Sequence, residues 1–150
     1  MIAIIDHGYA NIQSLYHSLK ELEKRVLVTS NYKEIMNSSA LILPGVGAFN
    51  PAMEELRIKN LDKKICDFAK TGKLIFGICL GMQLLFSKSE EFGKTNGLNI
   101  FKGKVIKFDN KISKVPHIGW NKINKKNGVF LPKNLFKNNY YFTHSFYCKP

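Results

Sequence analysis

The sequence lacks several features that would assign it to a special class of protein. Its three cysteines, Cys66, Cys79 and Cys148, are an odd number without Cys-x-x-Cys spacing, which argues against a disulfide framework or a structural zinc site and favours a reducing cytoplasm. The longest apolar stretch, residues 74–86, is interrupted by glycines and falls short of the ~20 residues of a membrane span. No basic region precedes the apolar residues at the amino terminus, so we expect neither a signal peptide nor a membrane partner.

Arginine is also scarce, although the chain is strongly basic. Only Arg25 and Arg57 are arginines among 23 basic residues, and the formal net charge is +12. Residues 76–150 hold thirteen lysines against three acidic residues. Nucleic-acid recognition favours the planar guanidinium, whereas dispersed lysines more often form a solvated surface. We therefore expect no nucleic-acid partner, and the alternative use of this charge is to dock an acidic protein.

Length and composition predict a single globular domain over residues 1–150. The chain has 150 residues, of which 45% are hydrophobic and 23% charged, values close to globular averages. No repeat, low-complexity run or linker divides it.

Short apolar runs alternate with amphipathic patterns through the first half, which predicts an α/β fold with an open, mostly parallel sheet flanked by helices. Such uniformly apolar strands are usually buried on both faces. The second half has shorter segments typical of further strands, some of them antiparallel. Strands are expected at Ile2–Ile5, 26–28, Ala40–Leu43, 74–78, 104–108, 129–131 and 140–143, and helices at 12–22, 32–36, 61–72, 82–87 and in a segment with Pro51 in its first turn.

Cys79 lies between two glycines, in Gly77-Ile78-Cys79-Leu80-Gly81, where an apolar strand meets a predicted helix. This is the nucleophile-elbow pattern with cysteine in place of serine, since small flanking residues allow a sharp turn. The backbone N–H of Leu80 would then face an oxyanion that forms beside Cys79. The alternative is a buried core cysteine whose glycines serve only close packing.

A second glycine-rich segment, Pro44-Gly45-Val46-Gly47-Ala48-Phe49, follows another strand and so lies at the same predicted edge of the sheet. Its backbone N–H groups could supply the other half of an oxyanion hole. The alternative is an ordinary turn. As a phosphate loop the segment is poor, because no Gly-Lys-Ser/Thr follows.

The four histidines offer no clear partner for a nucleophilic thiol. His7 is interpreted as a polar turn residue and His17 as a structural or surface residue. His117 and His144 lie in late segments, but no acidic residue occurs after Asp109 to orient either imidazole.

Five segments, in order along the chain, resemble the class-I (triad-type) glutamine amidotransferases, and within them the glutaminase subunits of imidazole glycerol phosphate synthase. The glycine-flanked cysteine marks the wider class, and the second and fourth segments point to this subunit. The segments begin at Asp6, Leu43, Gly77, Val115 and Tyr141 and read DHGYAN, LPGVGAF, GICLGMQLL, VPHIGWN and YFTHS.

The resemblance implies that Cys79 attacks the side-chain amide of glutamine to give a thioester and ammonia. It further implies an oxyanion hole formed by Gly45, Val46, Gly47 and Leu80. Residues that would position glutamine are Gln83, His144, Ser145 and Phe146. No metal and no organic cofactor is implied.

The partner implied by the resemblance is a (β/α)₈-barrel cyclase in a heterodimer. The cyclase would receive the ammonia and make imidazole glycerol phosphate and an aminoimidazole carboxamide ribotide in histidine biosynthesis. The partner would also activate the glutaminase, by reorienting the loop 44–47.

Two departures from the family's pattern leave alternatives open. His7 and Ala10 stand where the family usually has Tyr and Gly, which is compatible with an amidotransferase that supplies another synthase, for instance one that modifies a sugar. The family also continues beyond the position of Pro150 to a His-Pro-Glu element that completes the triad. The domain is therefore expected to be incomplete at its C-terminal end, with little glutaminase turnover alone, or to be an inactive remnant that only binds the partner.

Overall fold

The computed structural model describes residues 1–8, 10–22, 24–111, 114–124 and 132–150. These form two compact units. The first unit comprises residues 1–106 together with 148–150, and the second comprises residues 107–147. The described part of the chain contains no helix long and apolar enough to cross a membrane.

A parallel four-stranded sheet is the centre of the first unit. Its strands are β1 (Ile2–Ile5), β2 (Val26–Thr29), β3 (Ala40–Leu43) and β4 (Leu74–Gly77), hydrogen-bonded in the order β2-β1-β3-β4. All three neighbouring pairs are parallel. The helices that connect them are α1 (Ile12–Glu21), α2 (Tyr32–Asn37), α3 (Phe49–Ile58) and α4 (Leu61–Lys70). The predicted parallel α/β architecture is therefore confirmed.

Burial in this sheet depends on position. In β1 and β3, the two central strands, residues 3–5 and 41–43 are almost completely buried. In the edge strand β4, by contrast, Leu74 is 67% and Phe76 58% exposed. The expectation that this most apolar strand would be buried on both faces is wrong, because no strand or helix among the described residues covers these two side chains.

The core of the unit lies where helices α3 and α4 pack beside the sheet. Fully buried side chains there share an apolar character and a helical spacing, and include Phe49, Met53, Leu56, Leu61, Ile65 and Phe68. Pro51 lies in the first turn of α3, where a missing backbone N–H costs little.

After β4 comes the short helix α5 (Leu80–Leu84), followed by β5 (Phe86–Ser89), β6 (Thr95–Asn96), β7 (Phe101–Lys107) and β10 (Phe146–Lys149). These four strands form a second sheet in the order β10-β7-β5-β6, in which β5 pairs parallel to β7 and antiparallel to β6. The helix predicted over residues 82–87 is thus shorter and earlier, since Phe86 joins a strand by pairing with Phe101.

The second unit contains an antiparallel pair, β8 (His117–Lys122) and β9 (Asn139–His144). A short 3₁₀ helix, Lys133–Lys137, precedes β9. The prediction of antiparallel strands in the second half is confirmed. The strand predicted at 104–108 overlaps β7, which begins earlier and ends at Lys107, and the strand predicted at 140–143 falls within β9. The strand predicted at 129–131 lies outside the described residues.

Candidate active site

Cys79 occupies a strained turn between β4 and α5. Its backbone has φ 53° and ψ −117°, a region that non-glycine residues rarely adopt and that costs about 1–3 kcal/mol. The turn is held by a hydrogen bond from the Gly81 N–H to the Ile78 carbonyl at 2.9 Å. The Cys79 side chain is exposed. The alternative of a buried core cysteine is therefore wrong.

The two flanking glycines allow this turn to form. A Cβ at Gly77 would lie 2.5 Å from the Cα of Met82, and a Cβ at Gly81 would lie 1.8 Å from the carbonyl oxygen of Leu43. Both distances are far inside van der Waals contact, so neither position can hold a larger residue without a backbone shift.

The loop 44–47 packs directly against this turn. The N–H of Ile78 donates to the Leu43 carbonyl at 3.0 Å, and a Cβ at Gly45 would lie 2.8 Å from the backbone nitrogen of Gly81. The contact follows from topology, because the parallel neighbours β3 and β4 end at the same edge of the sheet. Two glycine-rich segments that are 30 residues apart in the sequence are thereby brought together.

Within this pair of segments the residues differ in exposure. Val46 is 52% exposed, whereas the side chain of Leu80 is 2% exposed. Gly47 has φ 93°, which favours glycine. The loop 44–47 thus packs against the turn that carries the exposed thiol, and an oxyanion hole would draw its N–H donors from these two segments.

Gln83 lies on α5, one turn after Cys79. Its backbone N–H donates to the Cys79 carbonyl at 3.3 Å, and the residue is half-buried. The nucleophile and this predicted glutamine-binding residue therefore belong to the same short element.

The sequence alone indicated only a polar turn residue at His7, whereas the structure shows a buried side chain with a defined hydrogen-bond partner. It is fully buried, and its Nε2 donates to the carbonyl oxygen of Pro44 at 2.7 Å. Burial lowers its pKa from the ordinary value of 6.5, against the raising effect of this hydrogen bond. The available signal was positional: His7 follows β1, and Pro44 follows β3, its parallel neighbour.

The predicted segment His144, Ser145 and Phe146 lies in the second unit and carries a chain of hydrogen bonds. His144 Nδ1 donates to the Phe146 carbonyl at 2.8 Å, so its Nε2 accepts from Nδ1 of His117 at 3.0 Å. His117 Nε2 in turn accepts from the amide of Asn121 at 2.7 Å. The Phe108 N–H donates to the Ser145 carbonyl at 3.0 Å. The backbone of this segment is thus held on both sides.

The other two thiols have environments unlike that of Cys79. Burial raises the pKa of Cys66, with a further raising effect from Asp62, and it raises the pKa of Cys148 to about 11. Both side chains are only half-exposed. We therefore expect a neutral thiol reagent to react with Cys79 faster than with Cys66 or Cys148.

Comparison with known families agrees with this geometry. The family described as "Glutamine amidotransferase class-I" matches residues 3–150. A crystal structure of a glutamine amidotransferase superposes with a TM-score of 0.69 at 14% identity, covering 97% of this chain and 71% of that one, which supports the fold alone. The chain belongs to the class-I glutamine amidotransferase family.

Relatives within that class narrow the assignment. Imidazole glycerol phosphate synthase subunit HisH of Caldanaerobacter subterraneus subsp. tengcongensis is 47% identical over 148 residues, covering 98% of this chain and 72% of the relative. The HisH proteins of Bacillus cytotoxicus and Chlorobaculum tepidum are 44% and 39% identical, covering 99% and 100% of this chain and 71% and 75% of theirs. Within the class, the chain is a member of the HisH subunits of imidazole glycerol phosphate synthase.

Proposed function

We propose that the chain is a glutaminase subunit that releases ammonia from glutamine, with Cys79 as the nucleophile, and that a cyclase subunit uses the ammonia in histidine biosynthesis. The observation that carries the proposal is the exposed thiol on a strained, glycine-flanked turn that packs against the loop 44–47. Such strain persists where the surrounding structure enforces it, and it is typical of nucleophile elbows.

The chemistry divides into two steps. The Cys79 sulfur attacks the amide carbon of the glutamine side chain, and the negative charge that develops on the amide oxygen is stabilised by N–H groups of Leu80 and of residues 45–47. Ammonia leaves with the proton of the thiol, and a glutamyl thioester remains. Water then hydrolyses the thioester to glutamate and restores the thiol.

Gln83 would position glutamine beside Cys79, and the segment of His144, Ser145 and Phe146 is proposed separately as a glutamine-contacting segment. The hydrogen bonds that His144 and Phe108 make to this segment keep its carbonyl groups in fixed directions. A fixed backbone lowers the entropy cost of orienting a small polar substrate.

Proton transfer is the step that the described residues support least. Nε2 of His7 is committed to the Pro44 carbonyl, His117 and His144 are bonded to each other, and His17 is exposed on α1. We therefore expect acylation of Cys79 to release one equivalent of ammonia, after which the chain alone turns over slowly because hydrolysis of the thioester lacks a proton carrier.

The test is covalent labelling by a diazoketone analogue of glutamine. The sulfur of Cys79 would displace dinitrogen, and the thiol proton would end on the methylene carbon. We expect one label, mapped to Cys79, that free glutamine slows and that Cys79→Ala abolishes. Cys66→Ala is the matched control and should label like the unchanged chain. Equal labelling of the Cys79→Ala variant would reject the assignment of the nucleophile.

For the partner, we propose that a barrel-shaped cyclase subunit docks on one face of the β8–β9 pair. Because side chains alternate along a strand, Ile118 and Trp120 share a face with Tyr141, while His117 and His144 lie on the other. The three apolar side chains are 59%, 70% and 56% exposed. Trp120 and Tyr141 form an edge-to-face pair with ring centroids 5.5 Å apart. Aromatic pairs of this kind are typical anchors of protein interfaces.

Truncation of the anchor tests this surface. We expect Trp120→Ala to weaken binding to the cyclase by about 2 kcal/mol or more, measured by calorimetry. Tyr32→Ala, which removes another exposed aromatic ring on α2, is the matched control and should leave the affinity unchanged. Equal affinities of both variants would place the interface elsewhere.

A further inference from the structure

The hydrogen bond between His7 and Pro44 acts on the first peptide unit of the loop 44–47. The acceptor is the Pro44 carbonyl, whose carbon is bonded to the nitrogen of Gly45. The peptide between them is trans, since the described cis bond is Val115–Pro116. In a planar trans peptide the C=O and N–H point in opposite directions. A group that holds the carbonyl therefore also sets the direction of the Gly45 N–H.

We propose that His7 is a positioning residue that holds the Pro44–Gly45 peptide plane and thereby orients the amide of the loop packed against the Cys79 turn. The proposal rests on the proposed function, because it gives this loop a role in stabilising the oxyanion. It assigns a purpose to a buried polar side chain that does no chemistry itself. Without that bond the peptide could rotate, and the amide would no longer be pre-oriented.

The protonation state of His7 follows from its partners. A carbonyl only accepts, so Nε2 carries a proton, and the neutral ring then leaves Nδ1 as an acceptor. Nδ1 is buried and has no hydrogen-bond partner among the described residues. The charged groups that act on the ring are Asp6 and Glu55, which favour its protonation, and Lys59, which opposes it. The ring therefore stays neutral at pH 7, with its one proton aimed at Pro44.

Nitrogen NMR of the labelled full chain tests the geometry without any activity. We expect a His7 spectrum of the tautomer with the proton on Nε2 at neutral pH. His7→Leu should shift the Gly45 amide resonance, and His7→Gln, whose amide keeps one donor at similar reach, should return it towards its original position. His17→Leu on the exposed face of α1 is the control. A proton on Nδ1, or a Gly45 resonance that ignores His7→Leu, would overturn the proposal.

Labelling kinetics test the consequence for chemistry. The ketone oxygen of the diazoketone occupies the place of the amide oxygen, whereas iodoacetamide alkylates a thiol without an oxyanion. We expect His7→Leu to slow diazoketone labelling of Cys79 about tenfold or more, His7→Gln to restore it to within about threefold, and iodoacetamide to react equally with all variants.

The outcomes separate this inference from the proposed function. If Cys79 of the unchanged chain reacts with iodoacetamide but not with the diazoketone, the glutaminase proposal fails, and the NMR spectra still decide whether His7 holds the loop. If the unchanged chain and His7→Leu label at the same rate, the positioning role is rejected while the nucleophile stands. Should His7→Leu fail to fold, the tautomer of the unchanged chain and the His7→Gln variant remain decisive.

Discussion

Cys79 combines an exposed sulfur with a backbone that a residue with a Cβ adopts only at a cost. We expect Cys79→Gly to raise the free energy of unfolding by about 1 kcal/mol, because glycine adopts this conformation without steric strain. Cys79→Ala keeps the Cβ and should leave stability close to that of the unchanged chain. Urea denaturation of the three proteins measures the difference. Equal free energies of unfolding for Cys79→Gly and Cys79→Ala would show that the turn stores no strain.

Gly81 is confined by contact rather than by its backbone angles. A Cβ there would overlap the Leu43 carbonyl oxygen at 1.8 Å, so Gly81→Ala forces the turn away from the loop 44–47. We expect it to lower the free energy of unfolding by about 2 kcal/mol or more.

Gly72 supplies the matched control for that substitution. Its φ is 73°, but a Cβ there would meet nothing within 4 Å. Gly72→Ala should therefore cost only about 1 kcal/mol of conformational strain. Urea denaturation compares the two variants, and equal losses would mean that the Gly81 contact is not limiting.

Cys79 and His7 show which features of the candidate site can be predicted from the sequence and which cannot. Glycines on both sides of Cys79 predicted a sharp turn, because the requirement for small residues is local and is contained in a segment of five consecutive residues. The contact of His7 could not be predicted from the sequence. Its partner Pro44 lies 37 residues away, and the two residues are in contact only because β1 and β3 are neighbours in the sheet. Whether the predicted site residues act on glutamine remains a prediction.

Within the parallel sheet, β4 is the strand with large exposed apolar side chains. Leu74 and Phe76 point to its exposed side, and β4 is the edge of its sheet. Exposed apolar edge strands template association between chains. We expect the double substitution Leu74→Thr and Phe76→Thr to reduce concentration-dependent self-association, followed by light scattering, with little change in stability.

The control for this effect removes apolar surface elsewhere. Ile58, at the end of α3, is 72% exposed and belongs to no strand. Ile58→Thr should leave the scattering unchanged. If it reduces self-association as much as the β4 substitutions do, general surface hydrophobicity and not the strand edge is responsible.

Element boundaries were predictable where the signal is local. The spans of β1 and β3 agree with the predicted segments, because continuous apolar runs there end at polar or turn residues. The end of α5 and the burial of β4 were missed for a shared reason. Phe86 becomes a strand residue by pairing with Phe101, and exposure of β4 depends on which elements lie beside it; both are properties of neighbours distant in sequence.

At the scale of the whole molecule, acid acts on a chain that is already highly charged. The formal net charge is +12 at pH 7, and each proton taken up adds to self-repulsion in the compact state. Against this background, a buried histidine that resists protonation gives the folded state a specific sensitivity to pH.

We expect the free energy of unfolding to fall as the pH drops below 6.5, the ordinary value for histidine. Because burial lowers the pKa of His7 in the folded state, the unfolded chain binds a proton in this range that the folded chain does not. The stabilisation from the neutral ring is thus complete above pH 6.5 and is lost on acidification, down to the pKa of the folded state. His7→Gln should remove this part of the pH dependence.

Urea denaturation of the unchanged chain and of His7→Gln, at neutral pH and at about pH 5, isolates the contribution of His7, because the two proteins differ only at this position. His17→Gln, which changes an exposed histidine, should keep the full dependence. If His7→Gln loses as much stability in acid as the unchanged chain does, His7 takes up its proton equally in both states. Its ring would then not be the neutral, buried donor to Pro44 that orients the loop.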